Sequence, residues 1–224
     1  MTVNKMGAPL DIRWPRPVGT DPTSITISKD PAGRYFVSFS TEEAVAPLPV
    51  VNATVGIDLG LLNMVAMSTG EKVGNERFFR RNEHRLAKAQ HRLFRKQQGS
   101  RHCSQARRKV ARLPARIADR RRDFTHKRTT RLIRENQVVC AEGWNVKGML
   151  AQPTLATSIA DVGWGELLRP LEYKARWYGR AVVQIDRFYP SSKRCHVCGH
   201  KWWRCRLQCG TGTVPRAAPS RTGT

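Results

Sequence analysis

Apolar and polar positions alternate in two short runs near the start of the chain. Ile25 and Ile27 alternate with threonine and serine, and Tyr35, Val37 and Phe39 alternate in turn. Asp30-Pro31-Ala32-Gly33 stands between the runs as a turn, so residues 23–40 are predicted to form a β-hairpin. A Pro-rich linker follows at 45–50 (VAPLPV). Residues 54–59 and 63–68 then read as two short apolar strands, with a further strand edge expected near 77–79.

Beyond residue 77 the period changes. Leu86 and Leu93, then Val110, Leu113, Ile117 and Phe124, recur at helical spacing, with a break near Gly99-Ser100. Two long helices are predicted, the second carrying Pro114, which is expected to kink it. Residues 137–141 (QVVCA) form a β-rich run that ends at Glu142. Residues 155–178 have a helical pattern closed by Gly179, and 181–188 (AVVQIDRF) form another strand. Strands alternating with helices after an initial meander predict a mixed α/β sheet.

Charge sharpens this picture. The 224 residues carry a net charge of +23, with 29 Arg among the 40 basic residues. So large an excess points to a polyanion, and guanidinium forks suit phosphate. The excess is concentrated: 21 of the basic residues lie in 77–134, against three acids. The helices there are expected to face nucleic acid, with Arg80, Arg81, Arg85, Lys88, Arg107, Arg108, Arg120, Arg121 and Arg122 as candidate contacts. No basic start followed by a long apolar run is present, and no stretch approaches the roughly 18 apolar residues of a membrane span. Neither a membrane nor a small-molecule substrate is expected as a partner.

Two acids stand out. Asp58 ends the first apolar strand in TVGIDLG, and Glu142 ends a later one. A carboxylate at the end of a buried strand is costly unless a cation or strong donors meet it. Side by side in one sheet, the two could hold Mg²⁺ for phosphodiester chemistry. Gly56 and Gly60 are expected to allow close approach of backbone and nucleic acid. Separately, Cys195, Cys198, Cys205 and Cys209 cluster with spacings of two, six and three residues. Four thiolates suit tetrahedral Zn²⁺, with His196 or His200 as possible substitutes.

Several of these segments together resemble the TnpB (OrfB) family of transposon-encoded proteins, RNA-guided nucleases related to type V CRISPR effectors. The matching text is GRYFVSF (33–39), VGIDLG (55–60), ARIADRRRDFTHK (115–127), EGWNVKGM (142–149), SIADVGWGELLRPLEYKARWYGR (158–180) and YPSSKRCHVCGH (189–200). The resemblance implies a RuvC-like, RNase H-type fold with a three-carboxylate site, in which Asp58 matches the first acid and Glu142 the second. It implies an N-terminal β-rich wedge fragment at 1–50, the nuclease domain at 51–190 with a basic helical insertion, a zinc-ribbon remnant at 191–210 and a disordered tail at 211–224. It also implies guide RNA and DNA as partners, and a prokaryotic, cytoplasmic, nucleoid-associated protein.

The chain departs from the pattern at the third acid. The family carries an Asp after its second cysteine pair, whereas here no acid follows Asp186, which precedes the ribbon and is a poor stand-in. Cleavage is therefore expected to be badly weakened, as in a truncated, frameshifted copy. Two other readings stay open. One is a nucleic-acid-binding protein without catalysis. The other is an actin-like ATPase fold, which GIDLG also resembles, although no further Gly-rich phosphate motif is present.

Overall fold

The computed structural model of the chain describes residues 11–13, 19–143, 145–186 and 189. The chain divides into two compact units, 1–185 and 186–224. The four cysteines expected to form a zinc ribbon and the tail expected to be disordered lie outside the described residues.

In the first unit, strands β1 (Ser24–Lys29) and β2 (Tyr35–Ser40) pair antiparallel, with Ile27 opposite Val37. The predicted turn closes them. Gly33 takes a left-handed φ of 82°, and the Arg34 backbone N–H donates to the Asp30 carboxylate at 2.8 Å. Arg34 also forms an ion pair with Asp119, which ties the hairpin to a helix far along the chain.

The larger sheet has five strands: β3 (Thr54–Asp58), β4 (Asn63–Met67), β5 (Lys72–Gly74), β6 (Val138–Glu142) and β7 (Ala181–Ile185). Their spatial order is β5-β4-β3-β6-β7. The β3–β4 and β4–β5 pairs are antiparallel, whereas β3–β6 and β6–β7 are parallel. The sheet is thus mixed, as the alternation of elements predicts. The expected strand at 77–79 is not there. The edge strand is β5, closer in sequence to β4, because Gly70 (φ 90°) turns the chain back at once. Arg77 (φ 47°) and Phe79 instead lead into a helix.

Helix α1 (Arg80–Phe94) and helix α2 (Arg101–Glu135) are the two basic helices expected from the apolar spacing. Ser100 caps α2, its hydroxyl accepting from the Cys103 N–H at 3.1 Å. Pro114 lies inside α2 without ending it. The 35 residues of α2 reach about 52 Å. Its C-terminal part buries Leu132 and Ile133 against the sheet, beside Val139 and Trp164. No residue of α1 is fully buried.

The segment 155–178, predicted as one helix, is two. Helix α4 (Pro153–Val162) ends at Gly163 and helix α5 (Trp164–Trp177) begins there, after a short α3 (Val146–Leu150). Gly163 has φ 71°, and a Cβ there would come 3.0 Å from the Arg121 side chain. The bend lets Ile159, Val162, Trp164, Leu167 and Leu171 all enter the core. Gly179 (φ 65°) ends α5 as predicted, with the Arg180 N–H reaching back to the Ala175 carbonyl at 2.8 Å.

Two buried cations lock this frame. Lys174 donates to the His126 carbonyl and to the Thr129 and Thr130 hydroxyls at 2.8–2.9 Å, joining α5 to α2, and burial pushes its pKa down. Arg180 donates to the carbonyls of Ile133 and Pro49 and to the Gln137 side chain, which fixes the Pro-rich linker against the sheet. Gly163→Ala should destabilise the chain by about 2 kcal/mol through left-handed strain and crowding at Arg121. Urea denaturation checks this, and an unchanged midpoint would contradict it.

Candidate metal and nucleic-acid site

The site begins with strand register. In the parallel β3–β6 pair, Gly56 lies opposite Cys140 and Ile57 opposite Ala141. The next residues on the two strands are Asp58 and Glu142. They end neighbouring strands, whose backbones run about 5 Å apart. Ile57 and Ala141 point into the core, at 4% and 1% exposure, so the alternation of the pleat turns both acids to the opposite face. Asp58 is exposed and Glu142 half-buried.

The pair repels itself. Although the Asp58 side chain reaches solvent, the protein around it strips part of its hydration and raises its pKa above the usual carboxylate value, the Glu142 charge raises it further, and the Leu59 backbone N–H opposes both by donating to it. Such a pair has the donor set for a hard divalent cation, which would relieve the repulsion. Among the described residues no group of three His, Cys, Asp or Glu side chains comes together, so no third ligand joins the pair there. Asp186 is exposed and opens the second unit.

The two glycines beside Asp58 differ. A Cβ on Gly60 would meet the Asn63 carbonyl oxygen at 2.9 Å, so the tight turn into β4 requires glycine. At Gly56 the nearest neighbour is Ser68, at an ordinary 3.6 Å, and the Ser68 hydroxyl accepts from the Gly56 N–H. The close approach at Gly60 is the chain's own, made by Asn63, whereas Gly56 meets Ser68 at ordinary contact distance.

The candidate nucleic-acid contacts divide. Arg85 and Lys88 on α1, and Arg107, Arg108, Arg120 and Arg122 on α2, are exposed with no ion pair among the described residues. Arg80 donates to the Ser158 hydroxyl at 3.0 Å, and Arg81 pairs with Glu76 at 2.7 Å. Arg121 turns inward, donating to the Ala160 carbonyl at 3.0 Å and pairing with Glu166 at 2.9 Å. It fastens α2 to the α4–α5 bend.

One residue of importance to this layout carries no signal in composition or period. Asp161, 4% exposed on α4, accepts from the backbone N–H groups of Phe79 and Arg80 at 2.7 and 3.2 Å. It caps α1 from 81 or more residues away, where no acid of the local sequence does so. A signal existed only in its neighbourhood, since an acid embedded in the apolar run SIADVGW needs donors if it is buried.

The repulsion gives a testable sign. Because the folded Asp58 pKa lies above its unfolded value of 3.8, the charged carboxylate costs stability at neutral pH, and the cost vanishes as pH falls through the folded pKa. Asp58→Asn should therefore raise the melting temperature at pH 7, with the gain shrinking toward pH 4. Mg²⁺ at ten times its Kd should stabilise the wild-type chain by about 1.4 kcal/mol and leave the variant unmoved. Equal response of both chains to Mg²⁺ in calorimetry would show that Asp58 is no ligand.

Known proteins are similar to this chain in sequence. The OrfB_IS605 family model, described as "Probable transposase", matches residues 36–152, and the model "Cas12f1-like, TNB domain" matches residues 164–214. A protein of Streptomyces pristinaespiralis named "Putative RNA-guided DNA endonuclease" is 52% identical, aligned over all of this chain and 64% of its own length. A protein of Escherichia coli named "Putative RNA-guided DNA endonuclease InsQ" is 32% identical over 79% of this chain and 48% of its own. A relative in Mycobacterium tuberculosis is 31% identical over 80% of this chain and 42% of its own. This chain thus spans less than two thirds of each relative. A solved chain from a Cas12f1–sgRNA–target DNA complex aligns at TM-score 0.44 and 14% identity, over 79% of this chain and 45% of its own, a likeness too slight to build on. The family model covers over half of the chain, which therefore belongs to the OrfB_IS605 family of TnpB-like, transposon-encoded proteins.

Proposed function

We propose that this chain grips nucleic acid along its basic helices beside a RuvC-like carboxylate site, with a guide RNA and DNA as partners. The observation that carries the reading is the β3–β6 register, which brings Asp58 next to Glu142 in a chain of net charge +23. The mixed five-stranded sheet supports the RuvC-like assignment. The names of the relatives support RNA and DNA as partners, carried over from longer proteins to this portion. No described helix is long and apolar enough to cross a membrane. Such partners would set the protein to work on a prokaryotic nucleoid.

Asp58 and Glu142 are the residues that would hold Mg²⁺. A bound ion would supply charge neutralisation at a phosphodiester. The chain's own contribution is orientation: paired strands fix both carboxylates, and the Leu59 N–H steadies that of Asp58. Asp58 must be ionised to act as a ligand, so site occupancy should rise with pH through its elevated pKa. With two carboxylates together, binding should outlast efficient cleavage in this 224-residue chain.

Fluorescence anisotropy and a Mg²⁺-dependent cleavage assay test this together. Nanomolar to micromolar binding of RNA and DNA, weakening by about a thousandfold or more from 50 to 200 mM salt, is expected. Any residual cleavage should vanish in Asp58→Ala and Glu142→Ala while binding persists. Fast cleavage that survives both substitutions, or no binding at low salt, would sink the proposal.

Cys195, Cys198, Cys205 and Cys209 would hold structural Zn²⁺. The second family match encloses all four, which supports their forming one unit. Chain expressed with zinc should release about one equivalent to a metallochromic dye on denaturation, and Cys195→Ser with Cys198→Ser should release none. Zinc-free wild-type chain would refute the assignment.

A further inference from the structure

Helix α2 carries arginines at 108, 112, 116 and 120, each four residues after the last, and all four are exposed. Four residues advance a helix by about 6 Å and turn it by about 40° beyond one full turn. The four guanidinium groups therefore form one gently winding row on the surface of α2, about 18 Å long. By helical period the row starts at Arg108 on the face opposite Cys103, Val110 and Ile117, and winds until Arg120 comes within about 60° of Ile117 at the edge of the apolar side. The two acids within a turn of the row are committed elsewhere: Asp119 pairs with Arg34, and Asp123 pairs with Lys127 at 2.8 Å. Among the described residues none of the four arginines has an acidic partner.

Like charges four apart on a helix oppose its formation. Three successive such steps are a self-inflicted cost unless an anion of matching repeat lies along them. We propose that Arg108, Arg112, Arg116 and Arg120 form a ladder that tracks consecutive phosphates of a single nucleic-acid strand, one guanidinium to each. A step of about 6 Å is close to the separation of neighbouring phosphates along a strand, and guanidinium is the side chain best matched to phosphate oxygens. The row is suited to reading backbone, because guanidinium groups stepped to match phosphates fix register and carry no sequence information. This inference rests on the nucleic-acid reading given above and sharpens it in two ways: it adds Arg112 and Arg116, and it separates the ladder from Arg121, which is bound to Glu166.

Salt dependence counts phosphate contacts directly. Each phosphate neutralised adds about 0.7 to the slope of log affinity against log salt for a single strand, and about 0.9 for duplex DNA. Arg→Gln variants at the four positions, singly and together, are titrated by anisotropy with a 20-nucleotide oligouridine and with a 20-base-pair DNA duplex. The fourfold variant should lose about 2.8 from the slope on the single strand, or about 3.6 if the strand followed belongs to the duplex. The melting temperature should rise by about 2–4 °C as the like charges go, so weaker binding cannot be put down to unfolding. Arg131→Gln serves as the control, since Arg131 is exposed but engaged by Glu71 and Glu135, and its slope should match the wild type. Retained binding with an unchanged slope in the fourfold variant would overturn the ladder alone. Failure of the wild-type chain to bind either probe would overturn the ladder and the nucleic-acid reading together.

Discussion

The pairing of β3 with β6 is the constraint on which the rest of the molecule depends. Two acids that repel each other would drift apart on flexible loops. Here the drift is blocked, because moving either carboxylate along its strand means breaking a ladder in which Val55, Ile57, Val139 and Ala141 are almost wholly buried. A slip of one residue would also turn the core face outward. The register is thus enforced by apolar burial, and the site inherits its geometry from a core that has no chemistry of its own.

Helix α2 extends that logic over a longer distance. Its C-terminal part is core: Leu132 and Ile133 pack on the sheet, and Lys174 is bound by three of its oxygens. Its N-terminal part is mostly surface, and residues 101–120 carry seven Lys and Arg against one acid. One rigid rod therefore links the packed sheet to the charged surface, and the inward-turned Arg121 marks the place where α2 is fastened to the α4–α5 bend. The charges in front of that bend are held in place by apolar packing behind it.

Much of this was legible in the sequence. Strand periodicity located β1 to β4, β6 and β7, and apolar spacing located both basic helices, because those segments are half-buried and must alternate. The Asp58–Glu142 pair was legible because an acid at the end of an apolar strand is costly enough to need a reason. What was missed has a physical cause in each case. The 155–178 helix hid its break because Gly163 falls where the apolar pattern continues on both sides, and only its left-handed φ reveals the bend. Arg121 looked like its neighbours Arg120 and Arg122, since composition cannot tell which of three adjacent arginines faces an acid 45 residues away. The strand expected at 77–79 was drawn by two phenylalanines that lead into α1 instead. Phe78 stacks edge-to-face on Phe124 with ring centres 5.9 Å apart.

Asp161 holds α1 by the main-chain amides of Phe79 and Arg80 and takes no part in recognising their side chains. A fastening of that kind is blind to the identity of the residues it fastens. The exposed positions of α1 can therefore mutate freely, gaining, losing or exchanging charge, while the helix keeps its attachment. Within a family of transposon-encoded proteins this would let the cationic surface be rewritten without rebuilding the sheet that carries the two carboxylates.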